Sequence, residues 1–536
     1  MTAGLPQQDS TELREFVHRN QSNNIQTGTP LHVYALSVPV DCPGVPIASI
    51  ALPAVSFGVS GTNALHILGL GLRPTSSTWT SVGSTSSHFT GTWEAADDTT
   101  WVTNAAGTAN GTVSGQTLRI PARISIGNDS HQQVRVHLSN ALGQGPVTFN
   151  AASVALQDPT DGGANTTGSI VPLTFAGSTS ITLPAGSDAL SDPVTLAASP
   201  QATLLVSLDI NGTVSSLAGH GAGQNPVYIT TTTDGTDHTK DPSATDYTTA
   251  DLGGIPYLSA IDVSTPDTVG ALVLYGDQSI NSDTGTPDGL HHLSDEIADA
   301  MAADGADNNQ IGYGILNGGT NSWGAGNNLL PGGNATAPVN VTGPVDRAVL
   351  EQADVRTVLI SSGTSDLLAC PSTLAAADCA SQVEAKLTQL AASIGGAYYN
   401  DDIENPDSNP IFSSQTGYIT VYIATIPPSG AALSTNQEAA RELVNTALLA
   451  DTVSGSNCTS SSTFTSPGSM HEDGVVNFAA AVSADGSATD AGSATIKTAD
   501  SFLSNKIYYP NDQYYTDLAA QYLSDSQNPC LTSPPN

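Results

Sequence analysis

After residue 266 the chain alternates between two hydrophobic periods. The runs "VGALVLYGD", "IGYGILN", "VRTVLISSG", "GYITVYIATI" and "GVVNFAAAV" are almost continuously apolar, as strands buried on both faces are. Between and after them lie "LHHLSDEIADAMAADG", "PVDRAVLEQAD", "ASQVEAKLTQLAASI", "NQEAARELVNTALLA" and "NDQYYTDLAAQYL", which read as helices. Strand and helix in alternation predict a parallel sheet covered on both faces. Ligands of such sheets bind beyond the carboxyl ends of the strands.

Upstream, from about 88 to 265, the pattern is nearly all β. Short runs such as "TLRIPARISIG", "QQVRVHLSNAL", "SITLPAG", "PVTLAA" and "ATLLVSLDI" are separated by turn residues, a spacing that predicts an antiparallel sandwich. Residues 32–75 hold three further strand-like runs, "LHVYALSVPV", "PIASIALPAV" and "ALHILGLGL", followed by the Ser/Thr-rich linker "TSSTWTSVGSTSS". Three strands rarely stand alone, so this segment is expected to be the remnant of a larger β domain whose front, with its export signal, precedes it. The organisation expected is 1–78, an N-terminal β segment; 79–265, a β-sandwich; and 266–536, an α/β domain.

A chain of 536 residues is long enough for two or three such domains. Thirteen basic residues stand against 49 acidic ones, a formal charge of -36. A surface so negative repels phosphate backbones and anionic lipid, which excludes nucleic acid as a partner. The apolar stretch near residues 46–72 is broken by Pro53, Gly58, Asn63 and His66, so no membrane span is expected. "MTAGLPQQDSTELREFVHRNQ" lacks the apolar centre of a signal peptide. The five cysteines, Cys42, Cys370, Cys379, Cys458 and Cys530, form no CxxC pair and no zinc-spaced cluster, so neither a metal nor a cofactor is expected. Disulfides in a secreted protein are the preferred reading. Cys370 with Cys379 could close a short loop and Cys458 with Cys530 a long one, leaving Cys42 over.

Several blocks then carry a resemblance. "GTWEA", "QTLRIPARISIG" and "QVRVHLSNALGQGPVTF" resemble the front domain of bacterial secreted esterase/lipase-like members of the SGNH (GDSL) hydrolases. "VLYGD", "LNGGTNSWGAGNNLL", "GPVDRAVLEQADVRTVLISSGTSDLL", "DGVVNFAAAV" and "YYPNDQYYTDLAAQYL" resemble the successive blocks of that family's hydrolase domain, in order. The resemblance covers about residues 88–536. It implies a flavodoxin-like three-layer α/β/α fold with a parallel sheet, preceded by an antiparallel β-sandwich and the short N-terminal β segment. In the family a serine directly after "GD" is the nucleophile. A glycine N–H and an asparagine side chain complete the oxyanion hole, and a C-terminal D-x-x-H-P motif supplies orienter and base. Acyl transfer needs all of these parts: an activated hydroxyl, an oriented base and preplaced donors.

On this chain the nucleophile position holds Gln278, whose amide offers no useful nucleophile. The glycine persists as Gly319. The expected asparagine is Ser365, the expected orienting aspartate is Lys506, and the expected base is Tyr509, a phenol with a reference pKa of about 10. An apolar frame is kept while its chemistry is altered. The resemblance therefore implies a catalytically degenerate SGNH-type protein that binds an extracellular polysaccharide, glycan or ester-bearing polymer. The alternative is an active ester hydrolase using Ser279, which would need a base from His291, His292 or His471. A purely structural role stays open beside both. Asp277 and Asp366 match family positions of structural use. Trp323, Tyr508, Tyr509, Tyr514 and Tyr515 are packing residues or a stacking surface for sugars, and "DDIENPDSNP" is a solvated loop or a weak calcium site.

Overall fold

A computed structural model describes residues 10–21, 24–36, 88–101, 113–128, 132–160, 162–214, 216–221, 226–250, 252, 254–266, 269–277, 280, 292–308, 313–320, 343–395, 398–399, 417–428, 433–451, 474–489, 496–497, 501–504 and 507–526. Near the start, Ser10–Gln21 pairs antiparallel with Asn24–Leu36. This hairpin differs from the expected run of strands. Its first strand lies in a polar stretch that shows no strand period, and "LHVYALSVPV" supplies only the end of the second. "PIASIALPAV" and "ALHILGLGL" lie outside the described residues.

The all-β region forms two antiparallel sheets. One runs Ile181–Leu183, Val147–Gln157, Thr203–Ile210, Thr117–Arg123, Val227–Thr230, Tyr247–Ala250, with Thr166–Pro172 also on Val147–Gln157. The other runs Asp188–Leu190, Gln133–Ser139, Leu258–Thr265, His88–Glu94, with Val194–Thr195 also on Gln133–Ser139. Alternate residues face inward. Val134, Val136, Leu138, Ile261 and Val263 from one sheet share a core with Leu118, Ile120, Val154, Val206 and Leu208 from the other. The opposite face of Thr117–Arg123 buries Arg119 completely. Its guanidinium donates to Ser207 Oγ at 2.9 Å, Ala164 O at 2.7 Å and Asp241 O at 2.8 Å. It also lies 4.1 Å over the Tyr247 ring, so the buried charge is satisfied.

The α/β unit has five parallel strands: Ala271–Gly276, Gly314–Gly319, Val355–Ser361, Thr420–Ala424 and Gly474–Val476. Numbered in chain order, they lie 2-1-3-4-5, the flavodoxin-like arrangement. Leu272, Leu274 and Leu359 pack on one face with helices Leu293–Asn308 and Asp512–Ser526. Val273, Tyr275, Val358 and Ile360 pack on the other with Ala376–Gly395 and Thr435–Asp451. Both faces are covered, which is why the strands are apolar without alternation.

Two local expectations are corrected. "GVVNFAAAV" is a strand only over Gly474–Val476. Asn477 then accepts the Ala480 N–H at 3.3 Å and caps a helix, Phe478–Val482. "PVDRAVLEQAD" contains a five-residue π-helical turn, Asp346–Leu350. Cys370 and Cys379 are disulfide-bonded, as expected; Cys42, Cys458 and Cys530 lie outside the described residues.

The two units meet along strand His88–Glu94 and the edge strand Gly314–Gly319. The Gly91 N–H donates to Ala353 O at 3.0 Å, the Ile315 N–H to Ser125 Oγ at 2.8 Å, and the Ala96 N–H to Asn317 O at 3.4 Å. A Cβ at Gly314 would lie 1.8 Å from Gly91 O, so only glycine permits the approach.

Candidate functional site

Parallel register brings three strand ends into line: Gly276 pairs with Gly319 on one side and with Ser361 on the other. The first and third strands are neighbours although the second lies between them in sequence, and this reversal of direction opens a crevice at their carboxyl ends. The segments singled out from the sequence begin here. A Cβ on Gly276 would lie 1.8 Å from Ser361 O, so glycine is required where the first strand ends.

The turn after Gly276 is held by backbone bonds: Asp277 N–H to Ser361 O at 3.2 Å and Ile280 N–H to Asp277 O at 3.0 Å. Thr320 donates to Gly276 O through its N–H at 3.1 Å and its hydroxyl at 3.2 Å. Asp277 is buried. Gln278 and Ser279, at the point of the turn, lie outside the described residues.

Gly319 is buried at the end of the second strand, and its N–H donates to the Asn317 Oδ1 at 3.0 Å. The amide that resembles an oxyanion donor is therefore committed to a side chain two residues earlier. Ser365, half-buried, stands in the first turn of Thr364–Ala369. Next to it, Asp366 is 5% exposed and accepts from Lys386 Nζ at 2.8 Å. That ion pair ties the short helix to Ala376–Gly395, a structural use of the carboxylate.

The remaining sequence candidates divide. Tyr509 lies on strand Ile507–Pro510, opposite Phe502 of Ser501–Ser504. Its side chain is outside the described residues, as are Lys506, His291, His471, Trp323 and the segment 401–410. Tyr514 and Tyr515 are each 2% exposed, with ring centroids 5.3 Å apart in an edge-on pair. They are core residues of helix Asp512–Ser526, the packing reading of the two, and present no stacking surface for sugars.

His292 is placed where sequence reasoning only half anticipated. It is buried just before helix Leu293–Asn308, and its Nδ1 donates to Asp295 Oδ2 at 2.9 Å. The same carboxylate oxygen accepts the His292 backbone N–H at 3.2 Å, as a helix-capping acid does. An imidazole so held presents Nε2 as its basic nitrogen. It faces a cleft between the two units, lined also by Asn317, Ser294, Arg123 and Gln201. Arg123 is committed to Asp299, which it contacts through both terminal nitrogens, and lies 3.8 Å from Asp295. The H-x-x-D spacing was the available signal for the pair, but helix-start histidines usually cap.

Among the described residues, His238, Asp241 and Asp246 are the group whose ligand atoms lie close enough to share a metal. His238 Nδ1 donates directly to Asp241 Oδ2 at 2.7 Å, which accounts for the contact without an ion. No described helix is long and apolar enough to cross a membrane.

Neither a protein-family model nor a curated protein matches the sequence. Solved structures do align with it. An acetyl xylan esterase from the rumen bacterium Butyrivibrio proteoclasticus shares 10% identity, covering 83% of this chain and 96% of its own, with a TM-score of 0.29. A family two carbohydrate esterase from Cellvibrio japonicus shares 8% identity, covering 82% and 93%, with a TM-score of 0.27. A salicylyl-acyltransferase from a tetracycline biosynthetic pathway shares 10% identity, covering 77% and 82%, with a TM-score of 0.26.

Proposed function

We propose that this chain is an SGNH-hydrolase-like scaffold with a degenerate centre, and that it binds an extracellular polysaccharide, glycan or ester-bearing polymer. One observation carries the reading: the Gly319 N–H is spent on Asn317 Oδ1. A preplaced donor stabilises an oxyanion only if it is aimed at the place where charge develops. This amide is already paired inside the chain, and the sequence puts Gln278 where the nucleophile would stand and Tyr509 where the base would stand. The Cys370–Cys379 disulfide and the charge of -36 support an exported protein.

The test is hydrolysis of a short-chain nitrophenyl ester beside co-sedimentation with insoluble cellulose, xylan and chitin. Binding to at least one polymer with no ester turnover is expected, and Gln278→Ser does not restore turnover because position 509 offers no base. Turnover well above the residual acceleration of about 10³–10⁴-fold over water left in a triad-less hydrolase would overturn it.

A second reading, an ester hydrolase using Ser279, is favoured by the His292–Asp295 pair, since an imidazole oriented by a carboxylate is what a serine base requires. It requires that Ser279→Ala and His292→Ala each abolish the same activity.

A further inference from the structure

We propose that the junction between the β-sandwich and the α/β unit is a pH-sensitive latch, closed while Glu94 and Asp97 are protonated and loosened when they ionise. Glu94 ends the strand that meets the parallel sheet. It is 4% exposed, and among the described residues neither carboxyl oxygen has a hydrogen-bond partner. Asp97, three residues on, is 6% exposed, and its Oδ1 is likewise without one. From the other unit come Tyr275, whose buried hydroxyl also has no partner, and Arg347, whose Nη2 donates to the Asp97 carbonyl at 3.3 Å.

Arg123 and His292 line the same cleft as Glu94 but are engaged by Asp299 and Asp295. Asp188 of Asp188–Leu190 and the neighbouring Asp98 add negative charge on the sandwich side, and Asp346 adds it on the π-helical turn. Asp98 accepts the Gly221 N–H at 2.8 Å. Arg135 and His137 are both engaged by Asp262, at 2.9 and 2.8 Å, and the His220 Nδ1 donates to Ala96 O at 2.8 Å. The Ser139 hydroxyl and Arg347 favour the ionised form of Asp97.

A buried carboxylate without donors is costly, whereas the neutral acid is tolerated. Burial, with Asp97 adding, pushes the Glu94 carboxyl well above the usual carboxylate range. Burial first, and then Asp188, pushes Asp97 up to about 6. Released from the junction, both would titrate near about 4. The closed junction therefore holds protons that the open one gives up. Closure is fully favoured below about pH 4 and loses up to about tenfold per pH unit for each carboxyl as pH rises. The share of Asp97 ends near about pH 6, and Glu94, pushed up by burial, adds its own loss in the same direction. Glu94 and Asn317 both line the cleft that holds His292, so the latch sets whether that cleft keeps its shape, whichever functional reading is right.

Hydrogen exchange on the full chain tests this. The Gly91 and Ile315 amides bridge the junction, whereas the Val206 and Leu208 amides lie in a central sandwich strand. Between about pH 4.5 and 7, after correction for intrinsic rates, protection at Gly91 and Ile315 is expected to fall at least about tenfold while Val206 and Leu208 hold. Glu94→Gln with Asp97→Asn flattens that fall, and the control Asp158→Asn, just past the far end of strand Val147–Gln157, leaves it unchanged. A wild-type profile that is flat at Gly91 and Ile315 overturns the proposal without any variant, as does an unaltered slope in Glu94→Gln alone.

Discussion

Asn317 does at the residue scale what no motif announces: its side chain takes up the amide of Gly319. Replacing it removes an acceptor from a buried N–H, so Asn317→Ala is expected to lower unfolding stability by about 1–3 kcal/mol in a denaturant titration. It should not raise ester turnover, because freeing one donor supplies neither nucleophile nor base. Gly276→Ala is the harsher change. Its Cβ would meet the Ser361 carbonyl at 1.8 Å in backbone that cannot retreat, and a loss of about 3 kcal/mol or more is expected in the same titration. The expectations at 278, 365, 506 and 509 were read from short ordered motifs. Asn317 was not, because an asparagine before two glycines can bond many partners and only the local turn selects one.

At the scale of elements, the helix Thr364–Ala369 is clamped three ways, to Ala376–Gly395 and to Thr435–Asp451. Cys370 is bonded to Cys379, Lys386 reaches Asp366, and Gln437 Nε2 donates to Cys370 O at 2.7 Å. The disulfide closes a short loop, for which chain entropy gives about 2–3 kcal/mol. Reduction, or Cys370→Ser with Cys379→Ser, is expected to lower the melting temperature accordingly. The elements themselves were largely legible. Five apolar runs became five parallel strands because a sheet buried on both faces leaves no place for alternation. The failures are equally physical. Phe478–Val482 is as apolar as a strand, but Asn477 caps it, with Thr425 Oγ1 donating to the Asn477 Oδ1 at 3.1 Å and accepting the Ala479 N–H at 2.9 Å. Ser10–Gln21 is too polar to show a strand period, and it is the pairing with Asn24–Leu36 that makes it one.

For the whole molecule, a formal charge of -36 acts on every compact state through self-repulsion. Raising sodium chloride from about 0.05 to about 0.5 M shortens the screening length severalfold. The melting temperature is expected to rise, by about 2–4 °C for each kcal/mol of repulsion relieved. The composition and the two hydrophobic periods determined by themselves a β-sandwich followed by a parallel sheet covered on both faces, because periodicity is a local record of which faces must leave water. The sequence alone carries the expectation that Gln278 and Tyr509 occupy the positions of a nucleophile and a base. Tertiary structure alone decided what the surviving polar groups face. Packing of distant segments buried Glu94 and Asp97 opposite Tyr275 and Arg347, residues about 180 and 250 positions away, whereas the Gly319–Asn317 and His292–Asp295 bonds are each set within a single turn. Hydrogen bonds and buried charges depend on positions within an ångström, and those positions exist only after distant segments have packed.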